Sequence, residues 1–261
     1  MMKLSIITIN YNNQEGLRKT IDSIVSQSFR DFEWIVIDGG STDGSKELIE
    51  KYADHIAYWV SEPDAGVYNA MNKGIKVAKG EYVNFMNSGD CFASTTILEE
   101  VLETSHTADV IYGYMMRGSI DGEVNNQSVM KPKLSWIDLY YDGLPHQSSF
   151  IKRSLFDKFG LYDENLKAVA DWKFFVNAFV YHKATSEFIA KKVSIYAEGG
   201  ISDVMGAEER RRIRKELFPR AMVETIPIVK SYERIRSHKL TAKLYSYIDK
   251  IARRLERKSK S

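Results

Sequence analysis

The first ninety residues alternate short apolar runs with segments of helical periodicity, and few folds accommodate that rhythm. Residues 4–9, 33–38, 56–60 and 82–86 are apolar runs of strand length. Between them lie three sets spaced as one helix face: Leu17, Ile21, Ile24 and Val25; Leu48, Ile49 and Tyr52; Ala70, Met71, Ile75 and Ala78. Apolar strands without polar alternation are buried on both faces, and repeated strand–helix–strand units build a parallel sheet with helices on both sides. Asn12 or Asn13 is placed to cap the first helix and Ser41 or Asp43 the second; the third covers 67–78.

After about residue 108 the rhythm changes. Residues 110–115 and 124–129 read as strands around a turn at Asp121-Gly122, and 135–141 as a short helix. Residues 150–152 and 186–190 read as strands, 171–180 as a helix. The expected fold class is α/β. A mostly parallel sheet flanked by helices occupies 1–107, an α+β half 108–205, and a helical extension 206–261.

Charge divides the chain at the same place. Residues 206–261 carry 17 Lys+Arg against 7 Asp+Glu, and residues 1–205 carry 20 against 28. A basic tail on a mildly acidic body predicts an anionic partner for the tail. Leu240, Leu244, Ile248, Ile251 and Leu255 share one helix face, with Lys239, Lys243, Lys250, Arg253, Arg254, Arg257 and Lys258 around it. That composition suits peripheral contact with an anionic membrane surface. It suits equally a stripe that packs on the body or on a second chain, which leaves a homodimer open. No nucleic-acid partner is expected, because the tail lacks aromatics interleaved on a sheet and the body is acidic.

At 44% hydrophobic residues the chain can bury a sizeable core, which excludes disorder as its main state. Cys91 is the single cysteine, which excludes a disulfide scaffold. No apolar run is long enough for a transmembrane helix, and the residues before Asn10 are too few for a signal-peptide core. A cytoplasmic protein is expected, with room for attachment to the inner face of the membrane.

Polar residues gather where the strands end. Thr8, Asn10 and Tyr11 follow the first run; Asp38, Gly39, Gly40, Ser41 and Asp43 the second; Asn87, Ser88, Gly89 and Asp90 the fourth. Ligands of open α/β sheets bind beyond the carboxyl ends of the strands. Gly39–Gly44 alone reads as a tight turn and a helix cap. Three such clusters on successive strands line one crevice with carboxylates, hydroxyls and free N–H groups, which suits a nucleotide with its phosphates and a metal. Neither a Gly-x-x-x-x-Gly-Lys-Ser/Thr loop nor a Gly-x-Gly-x-x-Gly after the first strand is present. A diphosphate here would be held through Mn2+ or Mg2+ on an aspartate.

Residues 3–45, KLSIITINYNNQEGLRKTIDSIVSQSFRDFEWIVIDGGSTDGS, resemble the N-terminal signature of the family 2 inverting glycosyltransferases of the GT-A fold. Residues 62–90, EPDAGVYNAMNKGIKVAKGEYVNFMNSGD, resemble the branch that builds bacterial surface polysaccharides, colanic-acid type. His146-Gln147-Ser148-Ser149-Phe150 and Ala170-Asp171-Trp172 are similar to later blocks of that branch. The resemblance spans about residues 3–203. It implies transfer of a sugar from a nucleotide-diphosphate donor, with a lean to UDP, onto a hydroxyl of a glycan or lipid-linked acceptor, with inversion.

The resemblance also implies roles. Thr8, Asn10 and Tyr11 would border the base and ribose, and Asp38 would accept a hydrogen bond from a base N–H. Asp64 would lie near the ribose or diphosphate. Asn69, Asn72 and Lys73 would face the crevice from the third helix. Gly40 and Ser88 complete the donor set in the turns after the second and fourth strands. The family's Asp-x-Asp metal motif falls on Asn87-Ser88-Gly89-Asp90, so Asp90 is the one carboxylate left to bind a cation, and Asn87 is expected to bind no metal directly. Asp171 would be the base that deprotonates the acceptor, and it is also placed to cap its helix. His146 and Gln147 would shape the acceptor or diphosphate side. Residues 198–202 resemble a loop that closes over the donor, and read equally as a plain turn.

Two rival functions follow from the same residues. A non-catalytic nucleotide-sugar or glycan-binding module accounts for the eroded metal motif. A nucleotidyltransferase would carry a Gly-rich loop with basic residues after the first strand, and Tyr11-Asn12-Asn13 is not one.

Overall fold

The computed structural model describes residues 2–118, 124–127, 130–197 and 201–237. The chain forms two compact units, Met1–Arg214 and Lys215–Ser261.

In the first unit the alternating pattern becomes β1 (Leu4–Asn10), α1 (Gln14–Val25), β2 (Phe32–Asp38), α2 (Ser45–Lys51), β3 (Tyr58–Ser61), α3 (Val67–Val77) and β4 (Tyr82–Phe85). β1 pairs in parallel with β2 and β4, and β2 with β3, so the order is β3-β2-β1-β4. Side-chain alternation along β1 assigns the two faces. Leu4 and Ile6 join a core with Leu17, Ile21 and Ile24 of α1 and Leu48 and Ile49 of α2. Each such fully buried aliphatic side chain contributes about 1.5–3 kcal/mol. Ile7 points to the other face, where α3 lies so close that a Cβ on Gly74 would fall 2.5 Å from its Cγ2. Glycine at that position lets α3 approach the sheet.

β5 (Cys91–Phe92) and α4 (Ile97–Leu102) lead into the second half: β6 (Val110–Gly118), β7 (Val124–Gln127), α5 (Trp136–Tyr141), β8 (Ser149–Lys152), α6 (Ser154–Phe159), α7 (Ala170–Val176) and β9 (Ser186–Tyr196). β8 runs antiparallel to β4 and joins the halves, and the sheet continues β8-β6-β9-β5 with β7 on β6. The helix α8 (Ile201–Leu217) follows. The second unit contains α9 (Arg220–Glu224) and α10 (Ile226–Ser237) among its described residues.

Several sequence expectations shift. The third strand begins at Tyr58 rather than 56, because Ala53–His55 winds a 3-10 turn first. Asn13, not Asn12, caps α1, accepting from the Gly16 N–H. Neither Ser41 nor Asp43 holds the N-cap position of α2, which is Gly44; the Ser41 side chain turns to Asp38, while Asp43 accepts from the N–H of Ser45. Asp171 is not an N-cap but the second residue of α7; Val169 holds the cap position without a side-chain bond. The helix expected over 171–180 loosens to a π-helical turn at Asn177–Tyr181. The strand expected over 186–190 runs on to Tyr196, because it pairs along most of β6. The turn at Asp121-Gly122, residues 198–200 and the stripe from Leu240 to Leu255 lie outside the described residues.

Candidate active site

The carboxyl ends of β1, β2 and β3 are tied together by one carboxylate. Asp38 is fully buried. Its Oδ1 accepts from Asn10 Nδ2 (2.8 Å) and the Ser41 hydroxyl (2.6 Å), and its Oδ2 from the Ser41 N–H (2.9 Å) and the Ser61 hydroxyl (2.6 Å). Burial raises its carboxyl, but the bonds from Ser41, Ser61 and Asn10 outweigh burial and hold it below the usual carboxylate value. Four donors occupy the four lone-pair positions of a carboxylate. Thr8 is buried as well, and its hydroxyl accepts the indole N–H of Trp34 (3.0 Å), so it supports the crevice floor.

Tyr11, 67% exposed, stands at the crevice mouth. A Cβ on Gly39 would fall 2.8 Å from Asp64 Oδ2 and 3.0 Å from Tyr11 Cδ2, so glycine lets both side chains close over this turn. Gly40 follows with φ 81°, where a side chain would be strained. Asp64 also accepts the Gly66 N–H through Oδ1 (2.9 Å).

The polar face of α3 holds protein rather than standing empty. Asn72, 1% exposed, bonds both backbone groups of Tyr162: Nδ2 donates to its carbonyl (2.9 Å) and Oδ1 accepts its N–H (3.0 Å). Asn69 and Asn72 each donate to one oxygen of Glu164 (2.7 and 2.8 Å). Lys73 reaches Glu62 (2.7 Å) and the Pro63 carbonyl (3.3 Å), which anchors the segment carrying Asp64.

The turn after β4 carries Asn87, Ser88, Gly89 and Asp90. Asn13 Nδ2 donates to the carbonyl of Ser88 (3.1 Å) and to its hydroxyl (3.3 Å). Asp90 is buried; Oδ2 accepts from Gln147 Nε2 (3.0 Å) and Oδ1 from the Ala197 N–H (3.2 Å). Burial pushes its carboxyl up to about 6, against the opposing pull of His146, Gln147 and the Ala197 N–H. The Oδ1 of Asn87 is buried with no partner. An orphaned carbonyl oxygen and a carboxylate three residues apart are hard-oxygen donors of the kind Mg2+ and Mn2+ take. Among the described residues no three His, Cys, Asp or Glu side chains cluster as a metal site. A cation here would therefore draw most of its ligands from phosphate and water.

Asp171 joins the two halves. Tyr68 of α3 donates its phenol to Oδ1 (2.9 Å), and His146 Nδ1 lies 2.9 Å from Oδ2. A carboxylate can only accept, so Nδ1 carries the proton. Nε2 lies 3.2 Å from Asn87 Nδ2. The side chains of His146 and Asp171 are 16% and 17% exposed, enough for contact with a substrate hydroxyl. Burial raises the Asp171 carboxyl, but the His146 bond and charge and the Tyr68 bond prevail and hold it below the usual value. Burial and the Asp171 charge push the Tyr68 phenol far above its ordinary value, so it stays a donor.

Tyr68 and Glu164 escaped the sequence reading. Tyr68 sits inside the 62–90 block, but an aromatic at helical spacing reads as core. Glu164 sits in a segment with no periodicity, and only its asparagine partners mark it.

A parallel half-sheet with a polar crevice, joined through an antiparallel strand to a half that presents one ionised carboxylate, is the GT-A arrangement. The chain belongs to glycosyl transferase family 2, whose family profile matches residues 5–162. An uncharacterized glycosyltransferase of Mycobacterium tuberculosis is 35% identical over 182 residues, covering 67% of this chain and 68% of its own. A PGL/p-HBAD biosynthesis glycosyltransferase of Mycobacterium bovis is 27% identical over 212 residues, covering 78% and 81%. Among solved structures, S. aureus TarS 1-349 in complex with UDP-GlcNAc superposes with a TM-score of 0.67 at 22% identity over 83% of this chain. The mannosyltransferase PcManGT of Pyrobaculum calidifontis, in complex with GDP-Man and Mn2+, does so with 0.57 at 17% identity over 82%. At these identities the two structures establish a shared fold. The chain spans 66% of that TarS chain and 60% of the PcManGT chain.

Proposed function

We propose that this protein transfers a sugar, with inversion, from a nucleotide-diphosphate donor to an acceptor hydroxyl in the assembly of a bacterial surface glycan. The observation that carries the reading is Asp171, ionised, partly exposed and gripped by Tyr68 and His146 beside the crevice. UDP is the favoured nucleotide, supported by the UDP-GlcNAc bound to TarS. A surface role is supported by the mycobacterial relative named for PGL/p-HBAD biosynthesis and by the resemblance of residues 62–90 to the colanic-acid branch.

Inversion needs one carboxylate on the side opposite the leaving diphosphate. Of the roughly four lone-pair positions of the Asp171 carboxylate, the Tyr68, His146 and Trp172 donors take three, which leaves one for the acceptor O–H. As the acceptor oxygen attacks the anomeric carbon, Asp171 removes its proton. Tyr68 and His146 fix the carboxylate geometry during the transfer. The donor lies over the β1, β2 and β4 ends, with Tyr11 against the base, Asn10 and Asp38 behind it, and Asp64, Gly40 and Ser88 around the ribose and diphosphate. Asp90 and the orphaned Asn87 carbonyl would hold Mn2+ or Mg2+, which supplies charge compensation for the departing diphosphate when bound. Gln147 orients Asp90.

The direct test is turnover of a panel of nucleotide-sugars, hydrolysis or transfer, with Mn2+ and with EDTA. A donor that raises Tm but is never cleaved would support the binding-module reading instead. Asp90→Ala is expected to abolish Mn2+ stimulation together with most activity. Full Mn2+-stimulated turnover in that variant would put the cation elsewhere.

The basic tail is the proposed attachment to an anionic membrane surface, at the cytoplasmic face, where a lipid-linked acceptor would be presented. No helix among the described residues is long and apolar enough to cross a membrane. Each Lys or Arg near such a surface contributes about 1 kcal/mol, so several suffice for reversible binding. Full-length protein is expected to co-sediment with anionic but not neutral vesicles at low salt. A chain ending near Ser231 should stay in solution; equal binding by both chains refutes the role of the tail.

A further inference from the structure

The ten residues between α6 and α7 carry the chain to Asp171 without helix or strand. A base on such a segment needs external supports. Asn72 grips the backbone of Tyr162, and Asn69 and Asn72 grip Glu164, at the far end of the segment. Nearest the base the grip comes from α8, beyond the stretch matched by the family profile. Glu209 Oε1 accepts the Lys167 N–H (2.9 Å), and Oε2 accepts the N–H groups of Lys167 (3.1 Å) and Ala168 (2.8 Å). The Glu209 side chain is 14% exposed. One residue on, the Arg210 guanidinium lies 5.1 Å from the ring centroid of Trp172, the residue after Asp171. Adjacent residues of one helix thus touch the chain on both sides of the carboxylate.

Among the described residues these two amides meet no other acceptor, and the start of α7 has no side-chain cap. Val169, at the N-cap position of α7, offers no side-chain acceptor, and Ala168 and Ala170 have none to offer. A carboxylate is the strong acceptor for N–H groups gathered before a helix. Arg212 lies 4.0 Å from Glu209, leaving the carboxylate committed mainly to the loop.

We propose that Glu209 is a positioning residue for the base: its carboxylate clamps the Lys167 and Ala168 amides and so sets where α7 begins and where Asp171 stands. This rests on the reading of Asp171 as the base. A clamp of this kind acts on kcat and leaves the donor subsite alone, because the segment it holds lies in the acceptor half.

Glu209→Ala is expected to lower kcat by about 10- to 100-fold, the cost of a base displaced by about an ångström, with donor KM and nucleotide Kd within about twofold of wild type. Glu209→Gln, whose carbonyl in the place of Oε2 still accepts both amides while its NH2 loses the second bond to Lys167, should recover part of kcat. Should Glu209→Ala fail to fold, Glu209→Asp, one methylene too short, carries the same expectation. Hydrogen exchange at the Lys167 and Ala168 amides should quicken in the variant while β1 and β2 stay protected. Undiminished kcat, unchanged exchange at those amides, or a parallel loss of kcat and nucleotide binding overturns the clamp. Absence of any transfer by the wild-type protein overturns instead the transferase reading, and the exchange comparison still decides whether Glu209 holds the loop.

Discussion

Replacing Asp171 by Asn is expected to lower sugar transfer by about 10²–10⁴-fold, the usual worth of a positioned base. Nucleotide affinity should stay within about twofold, since the variant removes no donor contact and keeps the side chain's shape. The Asn oxygen can still accept the Tyr68 phenol, and His146 can change tautomer to accept from the new amide once Asn87 turns its amide oxygen toward Nε2. What is lost is the negative charge and the ability to take a proton. Steady-state transfer and isothermal titration with UDP make the comparison. A variant that keeps more than about a tenth of wild-type turnover would exclude Asp171 as the base.

Asp38→Ala is expected to destabilise the fold by about 3–5 kcal/mol, because it strands the N–H of Ser41 and both serine hydroxyls behind three strand ends and leaves the Asn10 amide only the longer bond to Ser41. Urea unfolding measures this, with nucleotide affinity followed in parallel. A loss below about 1 kcal/mol would mean these donors find water easily. The sign with pH follows from the lowered carboxyl of Asp38. Its contribution is complete above the unfolded value near 3.8 and disappears as pH falls through the lower folded value. The sequence alone suggests Asp38 as an acceptor for a base N–H. In the fold such a bond requires displacing Ser41 or Ser61, so any effect on nucleotide affinity should come with the loss of stability. The Asn10 Oδ1, buried and unpaired beside it, is the unsatisfied acceptor of this corner.

Much of the first half was legible before any coordinates. Strand and helix periods are local, so Leu4, Ile6 and Ile7 identify β1, and Leu17, Ile21 and Ile24 identify the buried face of α1, without knowledge of their neighbours. The gathering of polar residues was legible for a related reason: a parallel sheet brings its strand ends to one edge, and Asn10 and Asp38 end β1 and β2 there, with Asn87 just past β4. The carboxylate at Asp171 was found by resemblance to a family block, not by its pattern, since one Asp before an apolar helix reads as a cap.

What these polar residues hold was decided only in three dimensions. Asn69, Asn72 and Lys73 read as a face turned to the crevice, yet their partners are Glu164, Tyr162 and Glu62. Tyr68 meets Asp171 across 103 positions of sequence, and Glu209 meets Ala168 across 41. No period of 2 or 3.6 residues records such pairs. They exist because β8 runs antiparallel to β4 and brings the second half against α3, and because α8 returns to the segment before α7. Periodicity determines which elements form and which faces they bury. The partners of a side chain at a loop or helix end depend on how those elements close on one another, and that closure brings Asp171 to Tyr68 and His146.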